Sequence, residues 1–372
     1  MGVLTGLRVI ELEAIGPVPF AGMLLADMGA EVLRIDRPEA PSDLGVPSDA
    51  PKVDVFGRGK HSMVMDLKAP SSASELLRIA ARADVLLEGF RPGTMERLGL
   101  GPQAVLEANP RMVFGRMTGW GQDGPLAQTA GHDINYIALS GLLSTIGEAG
   151  RKPVVPLNLL GDFGGGGMLL ALGVIAAVLA VRNGGSGQVV DAAMTEGSAL
   201  LGTGLLGLMA SGLWTEARGS NLLDGGAPWY DTYETADGRY VAVGAIEERF
   251  YGQLLAGLGL DQQEMPPRRD PANWPAIRET LTMRFRTRPR DEWAAIFADG
   301  DACVTPVLSL AEAREHAHMT SRHAYQAVGG ILLPASAPRF SAVASAHPTP
   351  APARGAGGKA LVSVWLAGSG AA

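Results

Sequence analysis

Cysteine is nearly absent from this chain; Cys303 is the single one. An internal disulfide and a multi-cysteine metal site are therefore excluded, and the composition suits a reducing compartment. Positive charge is also in deficit. The formal net charge of −7 argues against nucleic acid as a bulk partner, because phosphate backbones select a basic face. It leaves room for a small basic site that takes one nucleotide. Long apolar runs are scarce: the longest, residues 168–181, falls about four short of the roughly 18 that a membrane-spanning helix needs, and reads as a buried helix. Residues 1–12 carry no secretory signal, and Gly370-Ala371-Ala372 is not a peroxisomal address. No membrane partner is expected, and the cytoplasm is the default location.

What is plentiful is glycine (50) and proline (25) in a chain of 372 residues, enough length for two domains. Strand-like and helix-like segments alternate through the first half. Strands are expected at 7–12, 31–35, 62–65, 85–87, 112–117 and 187–191. Helices are expected at 20–28, at 72–83 behind a capping box of Ser72 and Glu75, and at 103–108. This rhythm predicts an α/β fold with a Rossmann-like parallel sheet covered on both faces. Two apolar helices, 168–182 and 196–213, are expected to be buried in the core or against a second subunit.

The texture then changes. Segments 230–235 and 240–243 alternate as strands around the turn Ala236-Asp237-Gly238-Arg239, and helices are expected near 250–258 and 293–299. A smaller α+β domain follows from this. The boundaries read as a large domain 1–192, a linker helix 193–226, a small domain 227–330, and a segment 331–372 returning to the large domain. The tail from residue 335, rich in Ala, Pro and Gly, is expected to run over the surface.

A dinucleotide-binding reading fails at its first turn. Asp36 lies about 20 residues after Gly16, the spacing of an NAD fingerprint. The turn itself reads Gly16-Pro17-Val18-Pro19-Phe20-Ala21-Gly22, and two prolines remove amide donors that a pyrophosphate would need. Gly164 to Gly167 lacks the Lys and Ser/Thr of a phosphate loop; it permits either close approach of a ligand or tight helix packing.

Histidine is also sparse, with six in all. His316, His318, His323 and His347 sit in charged or proline-rich stretches without acidic neighbours at metal-ligand spacing, so no metal site is expected. His61 stands with Lys60 and Arg58 as a small basic group. His132, beside Gly131, reads either as a hydrogen-bonded core residue or as a base. Asp162 reads either as a helix N-cap or as a carboxylate that needs a partner in apolar surroundings.

Several motifs in one order then become specific. Gly119-Trp120-Gly121-Gln122-Asp123-Gly124-Pro125, Gly131-His132-Asp133-Ile134-Asn135-Tyr136 and Gly161-Asp162-Phe163-Gly164-Gly165-Gly166 resemble the α-methylacyl-CoA racemase branch of the class III CoA-transferase family. So do Gly6-Leu7-Arg8-Val9-Ile10-Glu11-Leu12, Ala30 to Pro38, Gly89-Phe90-Arg91-Pro92-Gly93 and Ala242 to Glu247. The resemblance covers nearly the whole chain except the tail. It implies an epimerase that inverts the α-carbon of 2-methyl-branched acyl-CoA thioesters by two-base proton transfer.

In that resemblance His132 and Asp162 serve opposite faces of the α-carbon, and Glu247 orients and charges the histidine. Arg37, Met65, Asp66, Leu67, Lys68, Gly89, Phe90, Arg91 and Arg97 match positions that contact coenzyme A. Gly131, Asp133, Ile134, Asn135 and Tyr136 line the thioester, with the Asp133 amide as the candidate oxyanion donor. Arg58 and Lys60 fit an Arg-Gly-Lys pattern near the nucleotide. Glu13, Val18 and His61 depart from the family's usual residues. No cofactor beyond the coenzyme A of the substrate is implied, and the assembly implied is an interlocked homodimer. Two other readings stand beside this one: a CoA transferase of the same family that uses Asp162 as a nucleophile, and a CoA-binding protein without activity.

Overall fold

The structure, a computed structural model, describes residues 2–39, 54–343 and 347–368. The C-terminal Gly370-Ala371-Ala372 lies outside them. In chain order the elements are β1 (Arg8–Leu12), α1 (Pro17–Asp27), β2 (Glu31–Asp36), β3 (His61–Val64), α2 (Ser72–Ala80), β4 (Val85–Glu88), α3 (Thr94–Arg97), α4 (Pro102–Ala108), β5 (Val113–Thr118) and α5 (Asp133–Leu139). A π-helical stretch (Leu159–Met168) runs into α6 (Leu169–Arg182), followed by β6 (Gln188–Ala193), α7 (Met194–Leu201) and α8 (Thr203–Ala210). Then come β7 (Tyr230–Glu234), β8 (Tyr240–Gly244), α9 (Glu248–Leu258), α10 (Trp274–Phe285), α11 (Arg290–Ile296), β9 (Val304–Pro306), α12 (Leu310–Glu315), α13 (Ala317–Ser321), β10 (Tyr325–Val328), β11 (Ile331–Pro334) and α14 (Gly358–Ala367).

The chain divides into two compact units. One comprises residues 1–140, 157–201 and 320–372; the other comprises 141–156 and 202–319. The first holds a six-stranded sheet of order β3-β2-β1-β4-β5-β6, parallel throughout. Side chains alternate between faces along a strand, and β1 shows it plainly. Val9 joins a core with Val18 and Leu25 of α1 and Val174 of α6. Its neighbour Ile10 joins a core on the other face with Leu76 and Ile79 of α2 and Val105 of α4. Burial on both faces is why the central strands β1, β4 and β5 read as largely apolar runs.

The tail differs from the surface course expected of it. Leu361, Val362 and Trp365 of α14 are buried in the second core, and Trp365 Nε1 donates to Glu31 at 2.8 Å. The apolar residues at 361, 362 and 365 make one helical stripe, and a stripe is buried where a sheet face is open to receive it. The 72–83 helix also starts differently. Its N-cap is Ser71, without a side-chain cap bond, while Ser72 Oγ donates instead to the Asp66 carbonyl.

The apolar run expected to be too short for a membrane is part of a continuous 24-residue helix, Leu159–Arg182, long and apolar enough to cross one. Within the first unit it covers β5 and β6, with Leu170, Val174, Val178 and Val181 buried. The glycines at its start resolve toward packing. A Cβ on Gly165 would sit 2.6 Å from the Ser198 amide, and one on Gly197 would sit 1.9 Å from the Gly165 carbonyl oxygen.

Arg58 and Lys60, expected near a nucleotide, are buried in ion pairs instead. Arg58 binds Asp27 and the Pro334 carbonyl. Lys60 Nζ donates to both oxygens of Glu11, at 2.8 and 2.6 Å, and to the Pro19 carbonyl. Gly22 makes room for that pair, since a Cβ there would lie 1.7 Å from Glu11 Oε2.

The second unit carries the antiparallel sheet β7-β8-β9 around a core of Trp229, Tyr233, Leu254, Phe285 and Trp293. Arg268 lies over the rings of both Trp229 and Tyr251. The helix 274–285 had no sequence expectation.

The Glu11–Lys60 pair yields a stability prediction. Lys60→Met leaves an unpaired buried carboxylate and should cost about 3–5 kcal/mol, whereas Glu11→Leu combined with Lys60→Met should regain most of that loss. Denaturant unfolding of the two variants checks it; equal destabilisation of both would refute it.

Candidate active site

In an open parallel sheet the crevice lies at the carboxyl ends of the strands, where the strand order reverses. Here β1 is flanked by β2 on one side and β4 on the other, so the crevice opens beyond Leu12 and Glu88. The candidate residues of the first unit fall on those ends. Arg37 follows β2, Met65, Asp66, Leu67 and Lys68 follow β3, and Gly89, Phe90 and Arg91 follow β4.

They line two hollows that share Phe90. The first, of about 890 Å³, takes Arg37, Met65, Asp66, Leu67, Lys68 and Arg97, together with Glu13. Arg37, Lys68 and Arg97 are not buried there, and the Arg37 guanidinium lies 6.0 Å from the centre of the Phe90 ring. Glu88 holds this loop in place. It is fully buried, accepts the Phe90 N–H at 2.7 Å, and is paired with Arg116 at 2.8 Å.

The second hollow, of about 720 Å³, takes Gly89, Arg91, Gly131, His132, Asp133, Ile134, Tyr136 and Asp162. Asn135 does not line it but braces the loop from its exposed side, where its Oδ1 accepts the His132 N–H at 3.0 Å. That bond fixes His132 as the N-cap of α5, in extended geometry. Asp133 is then the first helical residue, whose amide has no carbonyl one turn back to bond. Tyr136 anchors the loop by donating its hydroxyl to the Gly131 carbonyl. Its phenol is pushed up to about 12, by burial first and then by the nearby Asp162 charge. A Cβ on Gly119 would strike that ring at 2.2 Å, which explains the glycine before Trp120.

Asp162 is not the N-cap that its position suggested. It lies inside the π-helical stretch, where the looser turn carries it toward Gly16 at the start of α1. A Cβ on Gly16 would sit 3.2 Å from Asp162 Oδ2, and Gly16 holds a positive φ of 74°. Two neighbours position Asp162. Asp133 Oδ2 accepts its backbone N–H at 2.7 Å, and Asn158 Nδ2 donates to its Oδ2 at 3.1 Å.

Burial is the main influence on the Asp162 carboxyl and raises its pKa above the ordinary aspartate value. The Asn158 hydrogen bond opposes this, the Asp133 charge adds to it, and His132 opposes it. Asp133 itself is buried, and its Oδ1 has no partner. Asn158 and Asp133, as the groups that hold Asp162, were missed in the sequence. Asn158 lies four residues before Asp162, but nothing in that spacing marks a π-helix. Glu247 belongs to the second unit, where it is the exposed N-cap of α9.

The profile of CoA-transferase family III matches residues 4–357. The chain belongs to CoA-transferase family III. Among its relatives, the alpha-methylacyl-CoA racemase of Mus musculus is 47% identical over 353 residues, covering 94% of this chain and 90% of the relative. The alpha-methylacyl-CoA racemase of Homo sapiens is 48% identical over 322 residues, covering 87% and 82% respectively. The fold is shared with a CAIB/BAIF family protein from Brucella suis, at a TM-score of 0.84 and 23% identity over 98% of this chain and 99% of that one. In this member of family III, His132 and Asp162 line one pocket on segments tied together by Asp133.

The Asp133 carboxylate raises the Asp162 pKa by like charge, so removing that charge should lower it. Asp133→Asn keeps an oxygen to accept the Asp162 N–H and should shift the Asp162 titration to lower pH. Carbon-13 NMR of aspartate-labelled protein, with the resonance assigned by its loss in Asp162→Asn, measures this. An unchanged or higher midpoint would show that Asp133 acts only as a hydrogen-bond acceptor.

Proposed function

We propose that this protein is an epimerase that inverts the α-carbon of 2-methyl-branched acyl-CoA thioesters by 1,1-proton transfer. The observation that carries the reading is His132 and Asp162 lining one pocket in a chain 47–48% identical to two alpha-methylacyl-CoA racemases.

The nucleotide of coenzyme A is assigned to the hollow of Arg37, Lys68 and Arg97, where guanidinium groups suit phosphate. The pantetheine then passes Phe90 and brings the thioester to the second hollow. One base takes the α-proton, and the electron pair of the C–H bond moves into the enolate, whose oxygen is assigned to the Asp133 amide at the start of α5. The opposite acid returns a proton to the other face. His132 and Asp162 exchange these roles for the two epimers. A carboxyl with a raised pKa holds a proton to deliver at a pH where an ordinary aspartate has lost it.

Glu247 is assigned to orienting and charging the His132 ring from the partner subunit of a homodimer. Exposed apolar residues, with Leu172 at 64%, Leu200 at 59% and Leu206 at 64%, support a partner chain. No further cofactor is assigned, and the free cysteine suits the cytoplasm.

Incubation with a single-epimer 2-methylacyl-CoA in deuterated water tests the reading. Deuterium should enter the α-position as chirality is lost. His132→Ala and Asp162→Ala should each slow exchange by about 10²-fold or more, the usual worth of a positioned acid or base, while coenzyme A still binds. Transfer of the coenzyme A to a second carboxylic acid without α-exchange would instead favour the transferase reading, with Asp162 as nucleophile. Binding with neither reaction would favour a CoA-binding protein.

A further inference from the structure

Glu13 is an anomaly in the first hollow. Its side chain lines the cleft assigned to the phosphates of coenzyme A, and a bare carboxylate there would repel them. The sequence already marks it as a departure from the usual first turn after β1. Two other acids, Glu39 and Asp66, share the lining with Arg37, Lys68 and Arg97. Three acids against three bases is a poor anion site unless one acid is neutralised.

The neutralising group comes from the far end of the chain. Arg354 donates to Glu13 Oε1 at 2.7 Å and to Oε2 at 3.2 Å, a forked pairing that matches guanidinium to carboxylate. Its Nη1 also donates to the Arg37 carbonyl at 2.5 Å, and Glu13 Oε2 accepts the Arg37 N–H at 2.6 Å. Both polar groups of the Arg37 backbone are therefore gripped by this ion pair. The pair is shielded, with side-chain exposures of 17% for Arg354 and 12% for Glu13.

The tail is held so that Arg354 can do this. Gly355 N–H donates to Ser62 Oγ at 2.6 Å, Ser62 N–H donates to the Ala356 carbonyl at 2.9 Å, and α14 is packed in the core immediately afterward.

We propose that Arg354 is a positioning residue that converts the Glu13–Arg37 turn into an anion site, by cancelling the Glu13 charge and fixing the Arg37 backbone. The proposal rests on the reading of this cleft as the nucleotide site of coenzyme A. Arg354 sits behind the cleft wall and acts through Glu13 and Arg37. It therefore governs affinity for the nucleotide end of the substrate rather than the proton transfer at Asp162.

Calorimetric titration with coenzyme A and with 3′-phospho-ADP, beside the kinetics of α-proton exchange, tests it. Arg354→Ala should weaken binding of both about 5- to 30-fold, the attraction of roughly one unit charge at partly screened distance, with the loss appearing in KM. Arg354→Lys should retain most of the affinity. Glu13→Gln on the Arg354→Ala background keeps an acceptor for the Arg37 N–H without the charge, and should restore binding. Glu13→Gln alone leaves Arg354 without its counter-charge and should tighten binding. That last sign separates the proposal from a merely structural role, because loss of a structural contact would not improve affinity.

Unchanged binding in Arg354→Ala would overturn the proposal, as would a double variant as weak as the single one. If Arg354→Ala fails to fold, Glu13→Gln decides alone: tighter binding supports the proposal and weaker binding refutes it. Failure of the unaltered protein to bind either compound would instead refute the assignment of the cleft, and this proposal with it.

Discussion

Because β1 pairs with β2 on one side and β4 on the other, the connections leaving those strands at their carboxyl ends diverge, and a crevice opens above the sheet that no strand can fill. The candidate chemistry of the first unit depends on this divergence. The turn after β1 supplies Glu13 and Gly16, the loop after β2 supplies Arg37, and the loop after β4 supplies Phe90 and Arg91. The buried ion pairs answer to the same constraint. Lys60 ties β1 to the first turn of α1 through Glu11 and the Pro19 carbonyl. The start of α1 is thereby held where Gly16 can approach Asp162. A parallel sheet with its central strands covered on both faces has little water to solvate such groups, so Arg58, Lys60 and Arg116 carry carboxylate partners with them.

Much of the fold was legible because it rests on short-range pattern. Short apolar strands of four to six residues and the helices between them follow from burial on two faces, and the hairpin 230–244 follows from alternation around Asp237-Gly238. What escaped depends on tertiary context. Ser72 looks like a cap in sequence, but its hydroxyl is taken by the Asp66 carbonyl of the preceding turn. The 358–367 segment resembles a surface tail because alanine, glycine and proline surround it, yet three apolar residues on one stripe suffice to seat it on an open sheet face. Arg58 and Lys60 carry the look of a phosphate group's partners, and only the fold reveals that Asp27 and Glu11 already occupy them.

The site divides along the same line. His132 and Asp162 were recognisable as residue types in a motif, and each alone had an ordinary explanation. Their meaning comes from Asp133, whose carboxylate reaches from the start of α5 to the Asp162 amide. No spacing rule anticipates that contact, because the two residues are separated by 29 positions and the second lies on a π-helical turn. Glu13 is the opposite case. It was visible as a departure, but its consequence could be read only once Arg354 stood beside it.

The environment of Asp162 also bears on which reaction such a site favours. A carboxylate acting as a nucleophile on a thioester must be ionised and free to approach the carbonyl carbon. Burial and the Asp133 charge both push Asp162 toward its protonated form, and Asn158 occupies one of its oxygens. These influences lower the population of the attacking species while enriching the form that can deliver a proton. In the proposed epimerisation the neighbouring His132 is the second proton carrier, whereas acyl transfer through an anhydride gives it no step to perform. A second carboxylate beside the first is thus a hindrance to a nucleophile, whereas a proton carrier that serves as acid for one epimer and base for the other gains basicity from it, and that asymmetry supports the proposed proton transfer over acyl transfer.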